Sequence, residues 1–373
     1  MTAGPDAREK ELEELRAAVR DFLATHTSSL DLLGAEPGGA AHDPRVWAQV
    51  AEQLRLPALT VPEEYGGDGF GLVELGVVME EMGRALFRAP FLSSAVFCVQ
   101  ALLAAGDRAA CGTYLPDLAS GRRTAALAVG EQNAAWDPVL VSTRAERGPA
   151  GWTLTGRKLF VVDGAGADLL LVVARSVAGP TLFAVEPGAG VRVAPMTTLD
   201  LTRPMARIEL AGAPAVPVGR EGAGARAMAR VLDVASTALA AEQAGAARQG
   251  LELSVGHALA RSQFGRPIGS FQAVKHACAD MLVRVELAEA AAREAALLHD
   301  AGDPGFATAA AAAHAYCSRA AMDVAMATIQ VHGGIGFTWE HPAHLYFRRA
   351  KASQLLFGGP AVVYERLLER LGI

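Results

Sequence analysis

Arg261-Ser262-Gln263-Phe264-Gly265-Arg266-Pro267-Ile268-Gly269-Ser270-Phe271-Gln272 closes one long run of helix-spaced apolar residues and opens the next. It gathers guanidinium groups, amides and glycine-relieved backbone at a junction between helices. That combination suits a pyrophosphate, held by bidentate and main-chain hydrogen bonds. A second stretch, Gln330-Val331-His332-Gly333-Gly334-Ile335-Gly336-Phe337, lies farther along the same helical third. Its glycines let a phosphate or ribose approach the main chain where a Cβ would collide. Either stretch alone reads equally well as a tight interhelical turn. Together they point to a binding surface.

Outward from these motifs, residues 219–373 read as a C-terminal unit of four long helices, broken at 265–269, 301–304 and 333–336. Alanine-rich faces at 288–296 and 307–315 permit close helix–helix approach, as in an antiparallel bundle. Upstream, residues 124–218 carry short apolar runs punctuated by Gly, Pro and Asp, the period of an antiparallel β unit. Strands are expected at 125–129, 139–141, 152–154, 159–162, 169–173 and 182–185. Residues 1–123 return to helical spacing, as in Leu12, Leu15, Val19, Phe22 and Leu23, with a turn at Pro62-Glu63-Glu64-Tyr65-Gly66-Gly67. The expected fold class is therefore α+β, in the order helices, sheet, helices.

Composition excludes several classes. The 373 residues are 51% hydrophobic and carry a net charge of −6, which rules out disorder and argues against a nucleic-acid partner. Cys98, Cys111, Cys278 and Cys317 have no C-x-x-C spacing, so neither a zinc site nor a disulfide framework is indicated, and a reducing cytoplasm fits. Residues 1–20 lack the order of a secretory signal, and no apolar stretch is long enough for a membrane span.

Three local patterns were weighed and set aside. Gly222-Ala223-Gly224-Ala225-Arg226-Ala227 with Glu242 imitates a dinucleotide fingerprint, but Glu242 falls in a helical run with no strand after it. His341 and His344 lack a third metal ligand, so a surface or interface role is expected for both. Ser270 has no nucleophile elbow around it. No metal site is expected.

The two binding motifs, their separation and the helix–sheet–helix order resemble the acyl-CoA dehydrogenase family over nearly the whole chain. Supporting matches are Leu56-Pro57-Ala58-Leu59-Thr60-Val61-Pro62-Glu63-Glu64-Tyr65-Gly66-Gly67, Glu80-Glu81-Met82-Gly83-Arg84, and residues 152–165. The resemblance implies an N-terminal α-helical domain, a central antiparallel β barrel and a C-terminal four-helix bundle, with FAD between the last two and against a neighbouring subunit. It also implies the reaction: removal of an α-proton by a glutamate with hydride transfer from the β carbon to flavin, giving a 2,3-enoyl-CoA.

Against that resemblance the chain departs at its chemistry. The family's base, in a Tyr-Glu-Gly-Thr stretch after an Arg-Asp-Ala-Lys segment, corresponds to Phe357 in Arg348-Arg349-Ala350-Lys351…Leu356-Phe357-Gly358-Gly359. The alternative position, after a Leu-Asp pair, is occupied by Ala235. No catalytic residue is therefore expected in this chain, and a general base typically contributes about 10²–10⁴-fold. On the flavin side, Gly130-Glu131-Gln132-Asn133-Ala134-Ala135-Trp136-Asp137 puts Trp136 where a small hydroxyl residue is usual. Phe160-Val161-Val162 loses the threonine that contacts flavin in the family. Retained are Arg261, Gln263, Phe264, Gln272, Gln330, Gly333 and Gly334, which in the family reach across to a neighbour's FAD.

The expectation is a subunit of a heteromeric, FAD-dependent acyl-CoA dehydrogenase, completing the site of a homologous partner chain that owns the glutamate. Residues 330–351 resemble subunits of actinobacterial heterotetrameric dehydrogenases acting on steroid side-chain CoA thioesters. Two alternatives are a stand-alone flavin-dependent oxygenase of the same fold and a non-catalytic structural subunit.

Overall fold

The computed structural model describes residues 5–27, 42–132 and 136–373; Asn133, Ala134 and Ala135 of the loop discussed above lie outside them. The chain opens with α1 (Pro5–His26), α2 (Pro44–Gln53) and α3 (Leu72–Arg84). A π-helical segment (Phe91–Cys98) runs into α4 (Val99–Ala105), and α5 (Arg108–Ala119) follows. Local chemistry sets the helix starts. Asp43 accepts from the Arg45 N–H ahead of α2, with Pro44 in the first turn, and Asp107 accepts from Ala109 and Ala110 at the start of α5.

Seven strands come next: β1 (Ala125–Ala128), β2 (Arg144–Gly148), β3 (Gly151–Val162), β4 (Leu169–Ser176), β5 (Gly179–Val185), β6 (Val191–Met196) and β7 (Met205–Val218). Five of them close a ring in the order β2-β3-β7-β5-β4, with β1 added beside β4 and β6 beside β7. Leu154, Leu170, Val172, Phe183, Ile208 and Leu210 fill it. The sheet is mixed rather than purely antiparallel as expected. Strand β4 pairs in parallel with β1 and, through Arg144 and Arg175, with β2. The strand expected at 139–141 is instead a 3₁₀ turn (Pro138–Leu140), because Asp137 accepts from the Val139 N–H at 2.8 Å and Pro138 pre-sets the turn. The runs 152–154 and 159–162 belong to one continuous strand, and β6 carried too little alternation to be read.

After the sheet come α6 (Gly224–Ala260), a hairpin of β8 (Ser262–Gln263) and β9 (Arg266–Pro267), α7 (Gln272–Asp300) and α8 (Phe306–His332). The expected fourth long helix is divided into α9 (Ala343–Leu355) and α10 (Gly359–Leu371). The cause is local: Phe357, Gly358 and Gly359 all have positive φ, which no α-helix accommodates. Helix α6 is the spine, packed along α3, α7 and α8. Where α3 crosses it the backbones touch. A Cβ on Gly245 would lie 1.9 Å from the Glu80 carbonyl oxygen, and one on Gly83 2.0 Å from that of Glu242. This is the physical reason for glycine in the Glu80–Arg84 motif.

All four cysteines are free. Among the described residues no helix is long and apolar enough to cross a membrane, and no group of three His, Cys, Asp or Glu side chains is placed to hold a metal.

Candidate functional site

Phe357 sits in the turn between α9 and α10 with φ 67° and is fully buried. Around it stand Trp136 at 4.6 Å between ring centroids, His314 at 5.6 Å and Phe97 at 5.8 Å, while Phe97 and Trp136 are 4.9 Å apart. These edge-on contacts make one aromatic cluster drawn from the π-helical segment, the 131–143 loop, α8 and the α9–α10 turn. Burial pushes His314 down to about 3, so its imidazole is neutral, and neither ring nitrogen has a partner. Ala235, on α6, is buried and brings no proton acceptor.

The Trp136 loop is tied to the sheet by a buried lysine. Lys158 Nζ donates to the Val129 carbonyl at 3.1 Å and to Glu131 at 2.9 Å, and Glu131 also accepts from the N–H and hydroxyl of Thr143. Burial pushes Lys158 down to about 8. Glu131, against its own burial, is pulled to about 2 by Ser142, Lys158 and Thr143.

Beside Val162, at the end of β3, lies a second cluster that the sequence reading missed. Arg203 and Arg349 both donate to Glu242, and all three are buried. Arg349 also pairs with Asp200 at 2.9 Å and bonds Thr202, and Arg203 bonds Ser353 at 2.8 Å. Next to them Asp163 accepts from Ser93 at 2.7 Å. Burial pushes Asp163 up to about 6, outweighing Arg203, Arg349 and Arg88. The signal available in sequence was Arg349, a cation where the resembled segment carries aspartate. Glu242 offered none, since it reads as one more residue of a helical run.

Between this network and Met79, Met82, Phe91 and Leu92 remains a cavity of about 30 Å³. That is room for about one water, whereas ligand pockets span roughly 300–1,000 Å³. Among the described residues, the cavity beside Val162 is too small for a tricyclic flavin ring.

The retained motifs are the reverse: exposed and unengaged. Phe264 (φ 53°) and Gly265 (φ 77°) turn the β8–β9 hairpin, leaving Phe264 91% exposed. Arg266 lies over the Phe271 ring at 4.1 Å, and Ile268 N–H donates to the Arg261 carbonyl at 2.8 Å, fixing the hairpin on the end of α6. The side chains of Arg261, Gln263, Gln272 and Gln330 are all exposed. Among the described residues, none of Arg261, Gln272 and Gln330 has a side-chain hydrogen bond or ion pair, and Gln263 bonds only its neighbour's carbonyl at 3.0 Å. Gly333, at φ 65° and ψ −140°, occupies backbone space that only glycine tolerates, and with Gly334 it is exposed. The His257 and His332 rings, 4.4 Å apart, bring the two motifs together. Free guanidinium and amide donors around open backbone fit an anionic dinucleotide presented from outside the chain.

His344 corrects an expectation. It is buried on α9 with both ring nitrogens unpartnered rather than at the surface, and His341 is half-buried. The Trp339 ring meets His344 edge-on at 4.6 Å.

Residues 9–122 match the N-terminal domain model of acyl-CoA dehydrogenases, and residues 222–372 match the C-terminal domain model. The acyl-CoA dehydrogenase IpdE2 of Mycobacterium tuberculosis is 34% identical, over 96% of each chain. Among solved structures, the Tcur3481–Tcur3483 steroid acyl-CoA dehydrogenase aligns with a TM-score of 0.87 at 30% identity, covering 98% of both chains. The ChsE4–ChsE5 complex of M. tuberculosis aligns with a TM-score of 0.86 at 29% identity, covering 100% of this chain and 98% of the other.

Proposed function

The chain belongs to the acyl-CoA dehydrogenase family, and on that premise we propose that it is a base-lacking subunit of a heteromeric acyl-CoA dehydrogenase that completes the FAD site of a homologous chain. One contrast carries the reading. Among the described residues, Phe357 and Trp136 are in ring contact and the cavity beside Val162 holds about 30 Å³, yet Arg261, Gln272 and Gln330 stand outside with nothing to bind. A site closed within and open without serves another chain.

When bound, FAD supplies the hydride acceptor for α,β-desaturation of the thioester. In this reading Arg261, Gln263, Gln272 and Gln330 hold its diphosphate and adenosine end, Gly333 and Gly334 let it approach the main chain, and Phe264 covers it. The partner chain provides the ring pocket and the glutamate. The two-chain names of the solved relatives support a homologous partner, and the steroid dehydrogenase among them supports a steroid side-chain acyl-CoA as substrate.

Expression alone and together with the glutamate-bearing homologue tests this. The solitary chain should purify without flavin absorbance and the complex with one FAD per two unlike chains. Arg261→Ala should weaken flavin retention in the complex about tenfold by removing a charge-assisted phosphate contact. A solitary chain that is yellow, fully loaded and able to desaturate a thioester would overturn the proposal.

A further inference from the structure

Three imidazoles stand in series between the two exposed motifs. His257 lies one turn before Arg261 on α6, His332 ends α8 immediately before Gly333, and His341 lies in the loop before α9. Ring centroids are 4.4 Å apart at 31° for His257–His332 and 4.3 Å at 40° for His332–His341. The middle ring lies tilted against both others, in contact with each.

The backbone also fixes which nitrogen of each ring carries hydrogen. His332 Nδ1 lies 2.8 Å from the Thr328 carbonyl, which can only accept, so Nδ1 is the protonated nitrogen. His341 Nδ1 accepts from the Ala343 N–H at 3.2 Å, so its hydrogen in the neutral ring sits on Nε2. Thr328 is itself locked into the helix seam, its hydroxyl shared between the carbonyls of Gly250 on α6 and Val324 on α8. Burial keeps all three rings below the ordinary histidine value; His332 adds to this for His257 and His341, while the Thr328 carbonyl opposes it at His332. Arg261 adds to this for His257 and His344 for His341; Arg348 lowers His344 in turn. The stack is therefore neutral at pH 7, as close packing requires.

We propose that the His257–His332–His341 stack is a clamp setting the distance between the Arg261 hairpin and the Gly333–Gly334 turn, with His332 as a positioning residue for the dinucleotide. This rests on the reading that the two motifs face a partner's FAD. The stack touches no reacting atom; it acts by holding the donors of two helices at one spacing. Rings serve this purpose better than flexible side chains, because their contacts fix separation with little rotamer freedom to lose.

The test uses the two-chain complex with FAD as the probe, beside ¹⁵N spectra of the full chain alone. The spectra should show His332 protonated at Nδ1 and His341 at Nε2. His332→Asn, which removes the ring, should weaken FAD retention about tenfold while the complex still assembles at wild-type size, as expected for losing two ring contacts. His332→Phe, which keeps the ring, should restore retention to within about threefold of wild type. Wild-type retention in His332→Asn, or equal losses in both variants, overturns the clamp. Should His332→Asn fail to fold, His341→Ala at the half-buried end of the stack replaces it with the same expectation. Arg261→Ala separates the two ideas: if it weakens retention and His332→Asn does not, the clamp alone fails, and if it has no effect the half-site reading fails and takes the clamp with it.

Discussion

Trp136 and Phe357 meet edge to face with ring centroids 4.6 Å apart, joining a loop of the sheet to the turn that separates α9 from α10. Both rings are buried, so each is part of the other's packing surface. With Phe97 and His314 they form one packed core element.

That packing makes Phe357→Glu an informative variant. Its carboxylate would enter an apolar cluster whose one polar member, His314, is held down to about 3 and is neutral. An uncompensated buried charge costs about 3–5 kcal/mol, so denaturant unfolding should show a loss of that size and no desaturation by the chain alone. Robust activity in the solitary variant would mean that the flavin chamber is open after all.

Much of this site is legible in the sequence because its residues are unusual for their local context. Phe357 between lysine-bearing helix and double glycine, Trp136 in a loop of small residues, and the exposed Arg261 hairpin all stand out against simple patterns. The parallel pairing of β4 did not, since strand direction depends on contacts far apart in sequence. Nor did the Arg203–Glu242–Arg349 network, whose members are 39 and 107 residues apart and are joined only when α6, α9 and the β6–β7 connection converge. The division of the last helical run was hidden for another reason. Periodicity continues across residues 356–359, while the break is made by backbone angles at Phe357 and the two glycines.

Glu242 is the shared acceptor of two buried guanidinium groups, so removing its charge leaves Arg203 without an ion-pair partner and Arg349 with Asp200 alone. Glu242→Gln should lower stability by about 3–5 kcal/mol, read from urea unfolding. Replacing Arg203, Arg349, Glu242 and Asp200 together with apolar residues of similar volume should cost far less, because the paired charges leave the interior together. Equal losses in the single and quadruple variants would show that shape, not charge pairing, sets the contribution.

Asp163 gives the fold a definite pH dependence. Its folded value of about 6 lies above the ordinary 3.8, so between these values the native state binds more protons than the unfolded state and stability falls as pH rises. The full penalty, on the order of 3 kcal/mol, is in place above pH 6 and absent below 3.8. Asp163→Asn keeps an acceptor for the Ser93 hydroxyl and cannot ionise. The difference in unfolding free energy between variant and wild type should therefore grow from pH 4 to pH 6 and then level off. A difference independent of pH across that window would contradict the burial-driven shift.

The crossing of α3 over α6 is a close backbone contact with a simple mutational reading. Gly245 has no positive φ to protect; its Cβ is excluded only because the Glu80 carbonyl oxygen would lie 1.9 Å away. Gly245→Ala must push the helices apart, and overpacking of this kind costs about 1–3 kcal/mol despite alanine's better helix propensity. Gly256, on the same helix, has nothing within 4 Å of its would-be Cβ. Gly256→Ala should therefore stabilise by about 0.5–1 kcal/mol, the propensity gain alone. Opposite signs for two chemically identical substitutions on α6, measured by thermal unfolding, would isolate backbone contact as the cause, whereas equal signs would refute it.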